Sequence, residues 1–166
     1  AADQKEIGRE RSDLKKALAD KLNKNYWEKG FVMPVKGRIS GHFGGQRIMN
    51  GRKMNPHQGT DIAAPEGTPV KAASNGIVRL SGGNYFYSGN TVVIDHGHRL
   101  FTIYAHLKKT SVKPGDYVKQ GQVIGEVGKT GRVTGPHLHW GASLNGVRFT
   151  PESLLHMNNA DFCFNL

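Results

Sequence analysis

Cysteine is almost missing. Cys163 stands alone in 166 residues, which excludes an intrachain disulfide and any zinc knuckle built on thiolates. No run of about 18 apolar residues occurs, so no membrane-spanning helix is expected. Acidic residues are in short supply, 13 Asp/Glu against 23 Lys/Arg, and the resulting formal charge of +10 points to an anionic partner: nucleic acid, an anionic membrane face or an acidic cell-wall polymer. The interleaved aromatic and basic residues that read single-stranded nucleic acid are also lacking, so no nucleic acid is expected among the partners. A signal peptide is not seen, and the opening AADQKE, without Met, reads as a processed or truncated product.

What the chain has in quantity is glycine, 22 residues, which implies many tight turns between short elements and favours a β-rich body. The length suits one core plus an appendage. The appendage is residues 1 to about 30, where eight Lys/Arg and six Asp/Glu fall before position 30 and proline is absent. Leu14, Leu18 and Leu22, with Ala17 and Tyr26 alongside, form one apolar stripe on a charged rod, which predicts a helix whose start near position 12 is capped by Ser12 and Asp13. Such a rod either docks on the body or ends a longer helical or coiled-coil region. The narrow stripe favours the second reading and leaves room for a coiled-coil or regulatory partner.

From position 31 to 166 the texture is β. TPVKAA, GIVRLSG, NTVVIDHG, RLFTIYAHL, DYVKQGQVIGEVG, HLHWGASLNG and VRFT read as successive strands. Asp95-His96-Gly97-His98 and Asn145-Gly146 read as hairpin turns, and Thr150, Pro151 and Glu152 start a short closing helix. The segment GGQRIMNGRKMNP, positions 44 to 56, reads as a long loop bordering a cleft. PEGTPVKA and KPGDYVKQ share a Gly-x-x-Val-Lys core, an echo of the kind found in flattened half-barrel modules, including biotinyl and lipoyl carriers. A carrier needs a lysine at a hairpin tip; the candidate tip here offers Asn75-Gly76.

Eight histidines, at 42, 57, 96, 98, 106, 137, 139 and 156, carry the chemistry. In HLHW, strand alternation puts His137 and His139 on one face, about 7 Å apart, with Leu138 in the opposite layer. His57 and Asp61 are four apart in NPHQGTDIAAP, where Pro56, Gly59 and Thr60 argue for a loop running into a strand; a loop can still fold both side chains onto one metal. Either motif alone is more often incidental than functional. His106 ends an alternating apolar run and reads by itself as a packed histidine. His96 and His98 read as turn residues, and His156 as part of the closing helix.

Together with HQGTDIAAPEGTPVKAASNGIV, GNTVVIDHGHRLFTIYAHL, VKPGDYVKQGQVIGEVGKTGRVTGPHLHW and LNGVRFTPESLL, the chain resembles the lysostaphin-like (LytM-type) zinc metallopeptidases that cut peptidoglycan, over about residues 32 to 155. The resemblance implies a mainly β fold, a flattened antiparallel sheet or half-barrel of the lipoyl-hybrid and glucose-permease kind with an N-terminal helix and a short C-terminal helix. It implies one Zn2+ per chain held by His57, Asp61 and His139, with His137 and His106 flanking a zinc-bound water that attacks the peptide bond. Zinc with an open fourth position brings that water's pKa to about 7, and two histidines titrating near neutrality can handle the proton.

His42, Arg47, Arg52 and Tyr85 are further candidates for lining the substrate cleft, although solvated loop arginines and a hairpin tip of packed aromatics at Tyr85, Phe86 and Tyr87 are the plainer alternatives. Peptidoglycan peptides and an anionic wall are the implied partners, and the periplasm or cell envelope the implied place. A silent wall-binding or hydrolase-activating module on the same fold and a carrier domain are the competing functions. The rod inclines the reading toward direct D-alanyl to diaminopimelate cross-links over glycine bridges.

Overall fold

The alternating apolar runs become strands of one large antiparallel sheet. The structure, a computed structural model, describes residues 2–49, 51–54 and 56–157. In chain order these form helix α1 (Ala2–Ala17) and strands β1 (Arg38–Gly41), β2 (Arg47–Met49), β3 (Arg52–Met54), β4 (Thr60–Ala63), β5 (Pro69–Lys71), β6 (Gly76–Tyr85), β7 (Gly89–Asp95), β8 (Leu100–Thr110), β9 (Tyr117–Val118), β10 (Val123–Val127), β11 (His137–Leu144) and β12 (Val147–Phe149), with a closing 3-10 helix at Pro151–His156. The ten-stranded sheet runs β1-β4-β11-β8-β7-β6-β9, with β12 on β11 and β10 bridging β8 to β5. The mainly β architecture with one N-terminal helix and a short C-terminal helix agrees with expectation.

Three details differ. DYVKQGQVIGEVG is two strands, because Gly121 at φ +83° turns the chain between β9 and β10. The segment 44–56, expected to be a long loop, contains a hairpin, β2 with β3, with Gly51 at φ +75° between them. The N-terminal helix starts at Ala2 and ends at Ala17, so Ser12 and Asp13 lie inside it, and Leu22 and Tyr26 lie beyond its end.

The two faces of the sheet have different cover. On one, Ile62, Val92, Ile94, Tyr104, Leu138 and Trp140 meet Trp27, Phe31, Val35, Val70, Val118 and Ile124 in the main core. Trp27 and Phe31, on either side of the boundary near residue 30, are both buried in it. On the other face, Leu14, Ala17 and Leu18 of the N-terminal segment pack on Val93, Phe101, Ile103 and Leu80. An isolated helix of this length is marginal in water, so it depends on this packing, in which Ala17 is buried and Leu14 and Leu18 are partly buried. The stripe therefore serves the body itself, which is the docked reading of the rod. No helix among the described residues is long and apolar enough to cross a membrane.

Candidate metal centre

β4 and β11 pair so that His139 lies directly across from Asp61, with Ala105 of β8 on its other side. Directly opposed residues on neighbouring strands project to the same face, and His57 enters from the loop just before β4. His57 Nε2, Asp61 Oδ1 and His139 Nδ1 form a near-equilateral triangle with edges of 3.2, 3.0 and 3.2 Å. A tetrahedral ion about 2.0–2.1 Å from each donor requires edges of about 3.3 Å, so the spacing fits.

The proton inventory fits as well. The His57 ring donates from Nδ1 to the His42 carbonyl at 3.1 Å, leaving Nε2 as a bare lone pair. A proton on His139 Nδ1 could satisfy only part of this cluster of acceptors, whereas a divalent cation satisfies all three. The Asp61 carboxyl is pulled in two directions: burial raises its pKa, but hydrogen bonds and charge from the His139 and His57 rings outweigh that and hold it far below the usual carboxylate range. Burial likewise lowers the His139 pKa, against the opposing pull of Asp61. A carboxylate and two neutral imidazoles are the forms that ligate metal.

Glycine makes room for this cluster. A Cβ on Gly59 would lie 2.6 Å from the His139 ring and 2.7 Å from the Trp140 carbonyl, and one on Gly41 would lie 3.0 Å from Asp61 Oδ2. The loop at 42–45 also clasps the His57 backbone, with Gly44 N donating to the His57 carbonyl and His57 N to Gly45. His42 thus reaches the site through its backbone carbonyl, while its side chain is exposed.

Beside the triangle stand two more rings. His137 donates from Nδ1 to the Gly135 carbonyl at 3.0 Å and places Nε2 3.7 Å from Asp61 Oδ1. His106 donates from Nδ1 to the Thr130 carbonyl at 2.9 Å. Its ring centre is 4.9 Å from that of His137 and 6.0 Å from that of His139.

Period-two alternation would have turned His106 into the core beside Tyr104. A β-bulge prevents this: Asn90 and Val92 of β7 pair with Leu107 and Tyr104, so Thr91 faces two residues, Ala105 and His106. The bulge re-aims the ring, and His106 takes the left-handed backbone conformation, φ +62°. Burial pushes its pKa down to about 4, against the raising effect of the Thr130 carbonyl, so the ring is neutral at neutral pH.

Other candidates lie elsewhere. Tyr85 is buried, its hydroxyl donating to Asp13 at 2.9 Å and its ring under Arg9, so it packs on α1 and does not wall the cleft. Arg47 and Arg52 sit on β2 and β3. His156 lies on the closing 3-10 helix. His98 lies in the β7–β8 turn as expected, whereas His96 is fully buried and is no surface turn residue. Asn75, the tip a carrier would display, accepts from His96 Nδ1 and from Gln120 N and presents no lysine.

The profile of peptidase family M23 matches residues 55–151, a span that contains all five site residues. The chain belongs to family M23. It is 45% identical over 119 residues to the peptidoglycan DD-endopeptidase ShyC of Vibrio cholerae serotype O1, covering 70% of this chain and 27% of the relative. Among solved structures, it is similar to a zinc-containing peptidase from Vibrio cholerae (TM-score 0.68, 38% identity, 74% of this chain and 39% of that one). It is also similar to the catalytic domain of the antimicrobial peptidase lysostaphin from Staphylococcus simulans (TM-score 0.65, 35% identity, 73% and 93%). This M23 chain therefore spans only about a quarter of the length of that curated relative. Within the matched span, His57, Asp61 and His139 form a group that could hold a metal ion.

Proposed function

We propose that this M23 chain is a zinc-dependent endopeptidase that hydrolyses peptide stems or cross-links of bacterial peptidoglycan, with D-alanyl to diaminopimelate links as its preferred bond. One observation carries the reading: three metal donors converge at one corner of the sheet while two imidazoles beside them hold Nδ1 on backbone carbonyls and leave Nε2 uncommitted. His57, Asp61 and His139 would hold the ion, leaving a fourth position for substrate or water, as catalytic zinc sites do. Zinc there supplies a Lewis acid for the scissile carbonyl and brings the pKa of a water to about 7.

The chain's own residues supply the rest. His106 and His137 take the proton of the attacking water at Nε2 and return one to the amine that leaves as the peptide bond breaks. The Thr130 and Gly135 carbonyls fix the tautomer, so Nε2 is the basic nitrogen of each ring, and that of His137 lies 3.7 Å from Asp61 Oδ1. Burial keeps the His106 ring unprotonated through the neutral range, so its Nε2 lone pair is open to a proton. The charge of +10 suits an anionic wall, and the preference for direct cross-links is supported by the DD-endopeptidase name of the 45% identical relative. Action on such a polymer places the protein in the periplasm or cell envelope.

The test pairs elemental zinc analysis with release of soluble muropeptides from purified wall. One zinc per chain and cleavage of walls with direct cross-links are expected. Metal-free protein inert on every wall type sinks the reading, and cleavage confined to glycine-bridged wall overturns the bond preference alone.

A further inference from the structure

The N-terminal helix reaches the site through one buried carboxylate. Glu10 is 5% exposed although it lies on a highly charged helix. Its Oε2 accepts from Tyr87 N at 3.0 Å, and its Oε1 accepts from Ser88 N at 3.0 Å and Ser88 Oγ at 2.7 Å. A buried carboxylate is tolerated when its lone pairs are met in this way. All three bonds fall on the tight turn between β6 and β7.

That turn holds His106 by two routes. Directly, His106 N donates to the Ser88 carbonyl at 2.7 Å, a contact made at the residue whose backbone is left-handed. Indirectly, the turn seats the loop whose Thr130 carbonyl takes the His106 ring proton. Asn90 N donates to Thr130 Oγ1 at 3.0 Å, Thr130 Oγ1 donates to the Leu107 carbonyl at 2.8 Å, and Arg132 N donates to the Tyr87 carbonyl at 3.0 Å. Gly89 lies against Thr130 so closely that a Cβ there would overlap its Oγ1. A left-handed conformation at a non-glycine residue costs on the order of 1–3 kcal/mol and persists only where the surroundings hold it. Glu10 supplies three of the bonds that hold those surroundings.

We infer that Glu10 is a positioning residue for catalysis: through the Ser88 turn it fixes the backbone and ring of His106. The inference rests on the proposed role of His106 as a proton-handling group. It makes α1 a working part of the peptidase unit, although residues 1 to 30 had read as an appendage.

The experiment uses the full zinc-loaded chain and a purified cross-linked muropeptide dimer. Glu10→Ala is expected to lower kcat about ten- to a hundred-fold, the scale of a displacement of about 1 Å at a reacting group, with KM and zinc content unchanged. Glu6→Ala, which removes an exposed pairing with Arg9 on the same helix, should leave kcat as it is. In a His106→Ala background, adding Glu10→Ala should cost nothing more, because residues acting as a unit are not additive. In the same zinc-loaded chain, hydrogen exchange at the His106 amide should accelerate at least ~10-fold in Glu10→Ala, since its acceptor loses its anchor.

Full kcat in Glu10→Ala, a loss that adds in full to that of His106→Ala, or unchanged exchange at the His106 amide overturns the inference. If Glu10→Ala fails to fold, Glu10→Gln, which keeps one acceptor oxygen, should show a smaller kcat loss and faster exchange, and its equality with wild type in both is the overturning result. An active His106→Ala removes the role of His106 and this inference with it. An inactive His106→Ala beside a fully active Glu10→Ala removes this inference alone.

Discussion

The chain carries two His-x-His pairs, His137/His139 and His96/His98, at opposite ends of the same sheet, and they have opposite fates. In the first pair the rings lie on one strand, β11, and so on one face, and each carries a nitrogen that no backbone group takes. In the second pair His96 spends both nitrogens inside the protein: Nδ1 donates to the Asn75 carbonyl at 2.7 Å and Nε2 accepts from Thr102 Oγ1 at 2.7 Å. Thr102 Oγ1 in turn meets the Tyr104 hydroxyl at 2.8 Å, and Ala73 N donates to that hydroxyl at 2.9 Å. His98 has φ +50° in the turn and sets its ring edge-on to Trp27. What separates chemistry from structure here is the backbone that sets the rings' direction and the number of ring nitrogens left over, not the motif.

The largest test of that contrast exchanges roles within the first pair. His139→Ala should lose zinc and activity together, because it removes one of three donors. His137→Ala should keep zinc and lose about 10²- to 10⁴-fold in kcat, the usual worth of a general acid or base. Zinc content by elemental analysis beside kcat on a muropeptide dimer checks both. Zinc lost from His137→Ala but kept in His139→Ala reverses the assignment of ligand and proton carrier.

Much of the site could be read in the sequence because its parts obey local rules. The shared face of His137 and His139 follows from strand period, and the Asn145-Gly146 hairpin from turn chemistry, with φ +56° and +82°. His106 could not be read in that way: alternation points it into the core, and only the family resemblance had placed it beside the metal donors. The bulge opposite Thr91 that reverses it is a long-range pairing feature without a local signature. The carbonyls of His42, Thr130 and Gly135 that set the tautomers are backbone atoms, invisible to any reading by residue type. The docking of the N-terminal rod is hidden for a related reason: leucine spacing reveals the stripe, but its partners Val93, Phe101 and Ile103 belong to no helix-level pattern. The burial of Glu10 likewise depends on a turn more than 70 residues away in sequence.

The second pair sharpens the contrast through pH. Burial pushes His96 down to about 4, only partly opposed by the Asn75 carbonyl, while in an unfolded chain it titrates near 6.5. The unfolded state therefore binds the proton first as pH falls. The stabilisation from keeping His96 neutral is complete above about pH 6.5 and is lost on descent toward pH 4, by about 2 kcal/mol at pH 5. In the metal-free protein, the stability of His96→Gln should fall less between pH 7.5 and pH 5 than that of wild type, by about that amount in denaturant unfolding. At pH 7.5 the variant itself should be destabilised by about 1–3 kcal/mol through broken buried hydrogen bonds. Equal acid slopes would mean that His96 is not the neutral core histidine described.

The smallest effect belongs to His98, and it tests the sorting rule most directly. His98 shares the His-x-His spacing, lies two residues from a buried histidine and has the left-handed backbone that also marks His106. Motif, position and strain together would rank it as a functional residue. Its surroundings rank it otherwise: the Leu22 carbonyl accepts its backbone N–H at 2.7 Å, and its ring meets Trp27 at 5.8 Å. His98→Asn keeps a side chain that tolerates the left-handed region and forfeits the ring contact with Trp27, worth about 0.5–1.5 kcal/mol. Zinc content and kcat should match wild type while the melting temperature drops by a few degrees. A loss of zinc or of kcat in His98→Asn would show that ring-nitrogen accounting fails to separate the two pairs, and that the β7–β8 turn reaches the site by a path its contacts do not reveal.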